Sequence, residues 1–139
     1  MALRTLFMLA DKSALEWVLR DDVSAGDFVA VTGMPGALVA ACHLTAMEIG
    51  YSARSYEDYQ NKLDDQRSLI WLPVTEEAMD RAMEVQDLLA RHGRHRLPIP
   101  DLIIAATAEV NGATVLHVDS DYETIAGVTN QPHRRLATS

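Results

Sequence analysis

The sequence predicts an α/β fold with a parallel sheet covered by helices on both faces. Three observations predict it. Short apolar runs alternate with helix-like patterns along the chain, the order that builds β-α-β units. Gly, Pro and Asn-Gly stops punctuate them, and there is no long polar linker, repeat or low-complexity segment. With 139 residues, 48% of them hydrophobic, the chain can bury a core of its own, and residues 1–139 are read as one domain.

The elements follow in order. "TLFMLA" (5–10) reads as a short buried strand and "SALEWVLR" (13–20) as a helix. "FVAVTGMPG" (28–36) is ambiguous and ends in a turn at Gly33, Pro35 and Gly36. "ALVAACHL" (37–44) reads as a second strand, and "TAMEIGYSAR" (45–54) as a helix with room to run on. "SLIWLPV" (68–74) is a short extended piece. "TEEAMDRAMEVQDLLARHG" (75–93) is a helix. Thr75 caps it, Glu76 and Glu77 favour its first turn, and Gly93 ends it. Met79, Ala82, Met83 and Leu89 recur on one face, which reads as core filler. Pro98 and Pro100 then break the chain. "DLIIAATAEV" (101–110) is a helix stopped by Asn111-Gly112, "TVLHV" (114–118) a β-branched strand, and "DYETIAGV" (121–128) a last helix. The polar tail "QPHRRLATS" either adds a short strand or frays.

Composition narrows the function classes. The formal net charge of −8 argues against a purely electrostatic nucleic-acid binder, which would be basic. Handling RNA or DNA would need a bound metal ion or a local basic patch, and a basic partner protein fits the charge equally. Cys42 lacks a disulfide partner in the chain and reads as a buried thiol. That matches a reducing compartment, so a cytoplasmic protein is expected. The apolar start is too short to span a membrane and lacks a cleavage pattern, so neither an anchor nor a signal peptide is expected.

Acids recur where helices begin. Asp11 follows the first strand, Glu48 falls in the first turn after the second, Asp101 opens the helix after the prolines, and Asp119 and Asp121 follow "TVLHV". In open parallel sheets ligands bind beyond the carboxyl ends of the strands. Each acid also has a purely structural reading. Ser13 with Glu16, Thr45 with Glu48, and Ser120 with Glu123 match capping boxes, and Asp101 suits a helix start. Together the acids suggest more, because Ser, Thr or Asn would cap equally well. Converging carboxylates repel unless protonated or bridged by a cation. An oxygen-only set suits Mg²⁺ or Mn²⁺, whereas one Cys and five scattered His lack zinc-ligand spacing. Metal held this way can activate water against a phosphodiester.

The stretches "LADKSALEW", "LTAMEIGYSARS", "IPDLIIAATAEVNGATVLHVDSDYETIA" and "TNQP" resemble, in order and over nearly the whole chain, the PIN-domain ribonucleases, in particular VapC-type toxins of toxin–antitoxin pairs. The resemblance implies a three-layer α/β/α PIN domain with a central parallel sheet and Mg²⁺- or Mn²⁺-dependent endonucleolytic cleavage of RNA. It implies metal ligation by Asp11, Glu48, Asp101 and Asp119, with Asp121 beside the last, and a supporting hydroxyl from Ser13. Asp119, closer to the strand end, is favoured over Asp121 as the fourth ligand. It further implies a homodimer and a cognate antitoxin that blocks the site. One position departs: the family usually carries Thr or Ser after the first Asp, and here Lys12 stands there, free to face solvent, phosphate or a site acid.

"RHGRHR" (91–96) is the densest basic run. Arg91, Arg94 and Arg96 read either as RNA-backbone contacts or as a solvated loop at a helix end. Arg54 could face the same opening, while Arg134 and Arg135 read as solvated. Tyr51, Tyr56 and Tyr59, with Trp17 and Trp71, read as core or dimer packing ahead of base stacking. Two other function classes compete with a ribonuclease toxin. A catalytically silent PIN scaffold that only binds protein or RNA would be favoured by loss of an acid, and none is lost. A receiver-type phosphoacceptor would need a lysine after a late strand, and only Lys12 and Lys62 are present.

Overall fold

The computed structural model describes residues 6–18 and 36–136. Their order is β1 (Leu6–Ala10), α1 (Lys12–Val18), β2 (Ala37–Ala41), α2 (His43–Tyr51), α3 (Tyr56–Arg67), β3 (Ile70–Trp71), α4 (Glu76–Ala90), α5 (Ile99–Val110), β4 (Thr114–His117), α6 (Ser120–Thr129) and β5 (His133–Arg135). Residues 28–35 of the ambiguous segment, the last two residues of the 13–20 helix and the side chain of Trp17 lie outside the described set.

The strands form one sheet in the order β3-β2-β1-β4-β5, and every pair is parallel. Strand faces alternate, so each strand feeds two cores. Leu9, Ala40 and Val115 face a layer made by α4, α5 and α6, where Val85, Leu89, Leu102, Ile104, Tyr122 and Ile125 pack. Met8, Ala10, Ala41 and Leu116 face the opposite layer, against Ala14, Leu15 and Ile49 of α1 and α2. This is the expected three-layer α/β/α arrangement with a central parallel sheet. Cys42 is fully buried, as read from its apolar surroundings. Among the described residues, no helix is long and apolar enough to cross a membrane.

Several boundaries differ from the sequence reading. The second strand stops at Ala41 and α2 begins at His43. Thr45 closes that start: its Oγ1 accepts from the Cys42 amide at 3.0 Å and donates to the Cys42 carbonyl at 2.9 Å. Thr45 therefore closes the helix as its third residue, and the Thr45/Glu48 box does not form. Glu48 accordingly sits in the second turn. The helix does not run on. It ends at Tyr51, and Ser55 caps the separate, largely polar α3 by accepting from the Asp58 amide.

Helix α4 begins and is capped as read, with Thr75 accepting from the Ala78 amide. Its buried stripe is Ala78, Ala82, Val85 and Leu89, while Met79 and Met83 are exposed. The small alanines let α4 close on α5, and that rotation turns the long methionines outward. The tyrosines also differ from the core reading. Tyr51, Tyr56 and Tyr59 are exposed, and the Tyr56 and Tyr59 rings stack on each other.

This packing predicts unequal responses on one helix. Ala82→Leu should cost about 1–3 kcal/mol in denaturant unfolding through overpacking, whereas Met83→Ala should stay within about 0.5 kcal/mol. Equal responses would place the stripe on the wrong face.

Candidate functional site

Sheet order creates the site. The chain leaves β1 for β2 and β3, then crosses back to lay β4 on the other side of β1. A parallel sheet opens a crevice at such a reversal, at the carboxyl ends of the two strands. Asp11 follows β1 directly and Asp119 follows β4 by two residues. Ala10 is in register with Leu116, and the Asp11 amide donates to the Leu116 carbonyl at 3.0 Å. Both acids are thus held at the crevice by the ladder.

Asp101 arrives from a different direction. Only residues 111–113 separate α5 from β4. So short a connection makes α5 run antiparallel to β4 and puts its first turn over the carboxyl edge of the sheet. Gly112, at φ +67°, supplies the left-handed residue that the reversal needs. Helix α5 starts two residues earlier than read, at Ile99 after Pro98, with Pro100 in its first turn, where no intrahelical amide is required.

The structure separates capping from other roles. Asp11 caps α1: its Oδ1 accepts from the Ala14 amide at 3.0 Å, and Ser13 Oγ donates to the same carboxylate at 3.2 Å. Asp119 caps α6 by accepting from the Asp121 amide at 2.9 Å. The Ser13/Glu16 and Ser120/Glu123 boxes are therefore replaced by acids one or two residues earlier. Glu16 instead accepts from Ser52, and Glu123 pairs with Arg135. Asp101 caps nothing. It is buried in the first turn of α5, with the Tyr122 hydroxyl donating to Oδ1 at 3.4 Å.

Asp101, Asp119 and Asp121 each offer a carboxylate oxygen, all within 4.8 Å of one another. Asp119 and Asp121 both belong to this group, whereas Asp11 and Glu48 stand outside it but close enough for their charges to act on Asp101. Burial pushes Asp101 up to about 7, reinforced by the charges of Asp119, Glu48, Asp121 and Asp11. Burial likewise raises Asp11 to about 6, against the pull of its Ala14 and Ser13 hydrogen bonds. Asp121 is raised by burial and by Asp119, and pulled back by a hydrogen bond with Asp101. Asp101 and Asp121 therefore both hold their protons more tightly than free carboxyls do. The donor set is all oxygen, buried on one side and electrostatically frustrated, which fits a hard divalent cation. The charge of Lys12 acts on Glu48, opposing the rise caused by burial.

One residue went unnoticed in the sequence. His117 is fully buried in β4, and its Nδ1 accepts from the Asp119 amide at 3.2 Å. Its other nitrogen, Nε2, lies 3.0 Å from His133 Nδ1. Burial, then His133 and Arg135, push His117 down to about 4. It is therefore neutral, with the proton on Nε2 and donated to His133. The available signal was a histidine inside an apolar strand, which must find partners for both ring nitrogens.

The basic residues divide. Arg54 lines a hollow of about 600 Å³ with Glu16, Ser52, Asp58, Lys62 and Asp65. Arg91 is bonded to Asp87, and Arg94 and Arg96 line hollows beside α6. Arg135 is not merely solvated, since it bonds Glu123 and the Val118 carbonyl.

Residues 8–128 match the family model described as PIN domain. The chain is 48% identical over 103 residues to Ribonuclease VapC2 of Mycobacterium tuberculosis, covering 71% of this chain and 72% of that one. The solved structure of VapBC2 from Rickettsia felis, bound to a DNA fragment from its promoter, superposes with a TM-score of 0.73 at 15% identity, covering 95% of this chain and 100% of that one. VapBC-5 from Mycobacterium tuberculosis, a member of the VapBC family of toxin-antitoxin systems, gives 0.64 at 23% identity, covering 95% and 98%.

The electrostatics predict a stability profile. A carboxyl with a folded pKa raised from 3.8 to about 7 favours the fold below its unfolded value. That contribution is lost as pH rises through about 7. The metal-free protein should therefore lose stability between about pH 4 and pH 8. Asp101→Asn should flatten that loss and add on the order of 1–2 kcal/mol at about pH 8, read by denaturant unfolding in EDTA. An unchanged pH profile would mean that Asp101 is not congested. In the native protein, Mn²⁺ titrated at about pH 6.5 should release protons, and calorimetry in buffers of differing ionisation enthalpy would count them.

Proposed function

The chain belongs to the PIN-domain family, and from that premise we propose that it is an endoribonuclease toxin, dependent on Mg²⁺ or Mn²⁺ and restrained by a cognate antitoxin. The observation that carries the reading is the convergence of Asp101, Asp119 and Asp121 within 4.8 Å, with Asp11 and Glu48 close by. Relatives named as ribonucleases and neighbours named as toxin–antitoxin complexes support it.

On this proposal Asp101, Asp119 and Asp121 ligate the metal, and Asp11 and Glu48 complete the acidic set. A bound divalent cation would supply charge to the scissile phosphate and acidity to a nucleophilic water. The remaining roles belong to the chain's own groups. Ser13 and the Ala14 amide orient Asp11, Tyr122 orients Asp101, and His117 holds the backbone at Asp119. Lys12 tempers the charge of Glu48. The partners are RNA, the antitoxin and a second copy of the chain, for which the exposed tyrosines of α2 and α3 offer a surface.

The test is RNA cleavage by the purified protein with Mg²⁺ or Mn²⁺, and its arrest by EDTA. Asp101→Asn should lower the rate at least about a hundredfold with the fold intact. Full activity in that variant, or cleavage that persists in EDTA, would refute the metal-site reading.

A further inference from the structure

The structure splits the basic run between α4 and α5. Arg91 folds back on Asp87, with Nη2 at 2.8 Å and Nε at 3.1 Å from Oδ2. The residues after it are fixed to the end of α4. The His92 amide donates to the Leu89 carbonyl at 3.0 Å, Gly93 turns the chain at φ +70°, and the Arg94 amide returns to Leu89 at 2.9 Å. Arg94, His95 and Arg96 are exposed, and no described residue forms an ion pair with Arg94 or Arg96.

These side chains line two hollows that share Arg94 and Thr124. One, of about 380 Å³, includes His92, Arg94, Thr124 and Gly127. The other, of about 370 Å³, includes Arg94, His95, Arg96 and Thr124. Among the described residues no acid lines either, in a chain of net charge −8. Thr124 joins them to the acid group. Asp119 caps α6 and Asp121 is in its first turn. Thr124 and Gly127 lie about one and two turns further on, roughly 4.5 and 9 Å along the axis at 1.5 Å per residue.

We infer that Arg94, His95 and Arg96, on the rigid turn beside Thr124, form a subsite for the RNA backbone that flanks the bond cut at the acid group. Exposed arginines that pair with no described acid can make bidentate phosphate contacts, and such contacts release counterions. The described lining of the two hollows offers an RNA backbone positive charge and no carboxylate, against a net charge of −8 for the chain. An acidic protein segment would suit the charge, but continuity with the acid group along α6 favours the substrate. This inference rests on the ribonuclease reading.

Gly127 gives a clean test, because a Cβ built there meets no atom of the described residues within 4 Å. Binding of a short single-stranded RNA of mixed sequence is followed by fluorescence anisotropy in an Asp101→Asn background with Mg²⁺, between about 50 and 200 mM salt. Arg94→Ala and Arg96→Ala should each weaken binding and reduce the slope of log K against log salt by about 0.7. Gly127→Glu should weaken binding while Gly127→Ala and Arg91→Ala leave it unchanged, with folding of each variant checked by circular dichroism. Unchanged slopes in Arg94→Ala and Arg96→Ala would overturn the subsite. If those variants lost only antitoxin binding, the surface would be a protein contact and the inference would fall. RNA cleavage by the native chain alongside unchanged slopes would refute the subsite alone, whereas neither cleavage nor RNA binding by the native chain would refute both.

Discussion

Carboxylates gather in a buried corner only when the packing around them leaves no other place. That constraint organises this molecule. Asp11 and Asp119 are fixed by the parallel pairing of β1 and β4, and Asp101 by the short reversal between α5 and β4. Each arrives through an element whose position is set by core residues, not by attraction among the acids. Leu9 and Val115, in the same core as Leu102, Ile104 and Ile125, hold the acids together against their mutual repulsion. The price is the raised affinity of Asp101 and Asp11 for protons. A site that costs stability at rest departs from the local rules in the way functional sites do.

Helix starts explain why acids can be kept there. Asp11 and Asp119 each accept a backbone amide and settle the orphan donors of a helix that follows a strand. Those bonds also lock the carboxylates, so half of the site is preorganised by ordinary capping. Asp101 makes no such bond. Pro98 and Pro100 start its helix without help from a side chain, which leaves the Asp101 carboxylate to Tyr122 and to its acidic neighbours. Asp101, with the weaker structural excuse, is raised further than Asp11.

Much of this was legible in the sequence because it depends on local pattern. Alternating apolar runs and helix signals specified the layered α/β architecture, and acids after strands specified which edge to inspect. What escaped depends on rotation and register. The stripe of α4 could be drawn through Met79 and Met83 or through Ala78 and Ala82, and only the close approach of α5 decides. The start of α2 turned on Thr45 acting as third residue instead of cap, which moved Glu48 by a turn. The break between α2 and α3 has no proline, and Ser55 marks it only weakly. His117 was hidden because its partners, the Asp119 amide and His133, meet it only when β5 lies beside β4.

The central claim is that the acids at the β1/β4 crevice form a divalent-cation site. Anomalous diffraction from crystals grown with Mn²⁺ tests it most directly. The account predicts a peak bonded to oxygens of Asp101, Asp119 and Asp121 at about 2.0–2.2 Å, the range of a small oxygen-bound cation. Manganese found only elsewhere, such as the surface hollow lined by Glu76, Glu77 and Asp80, with the crevice acids unliganded, would contradict it.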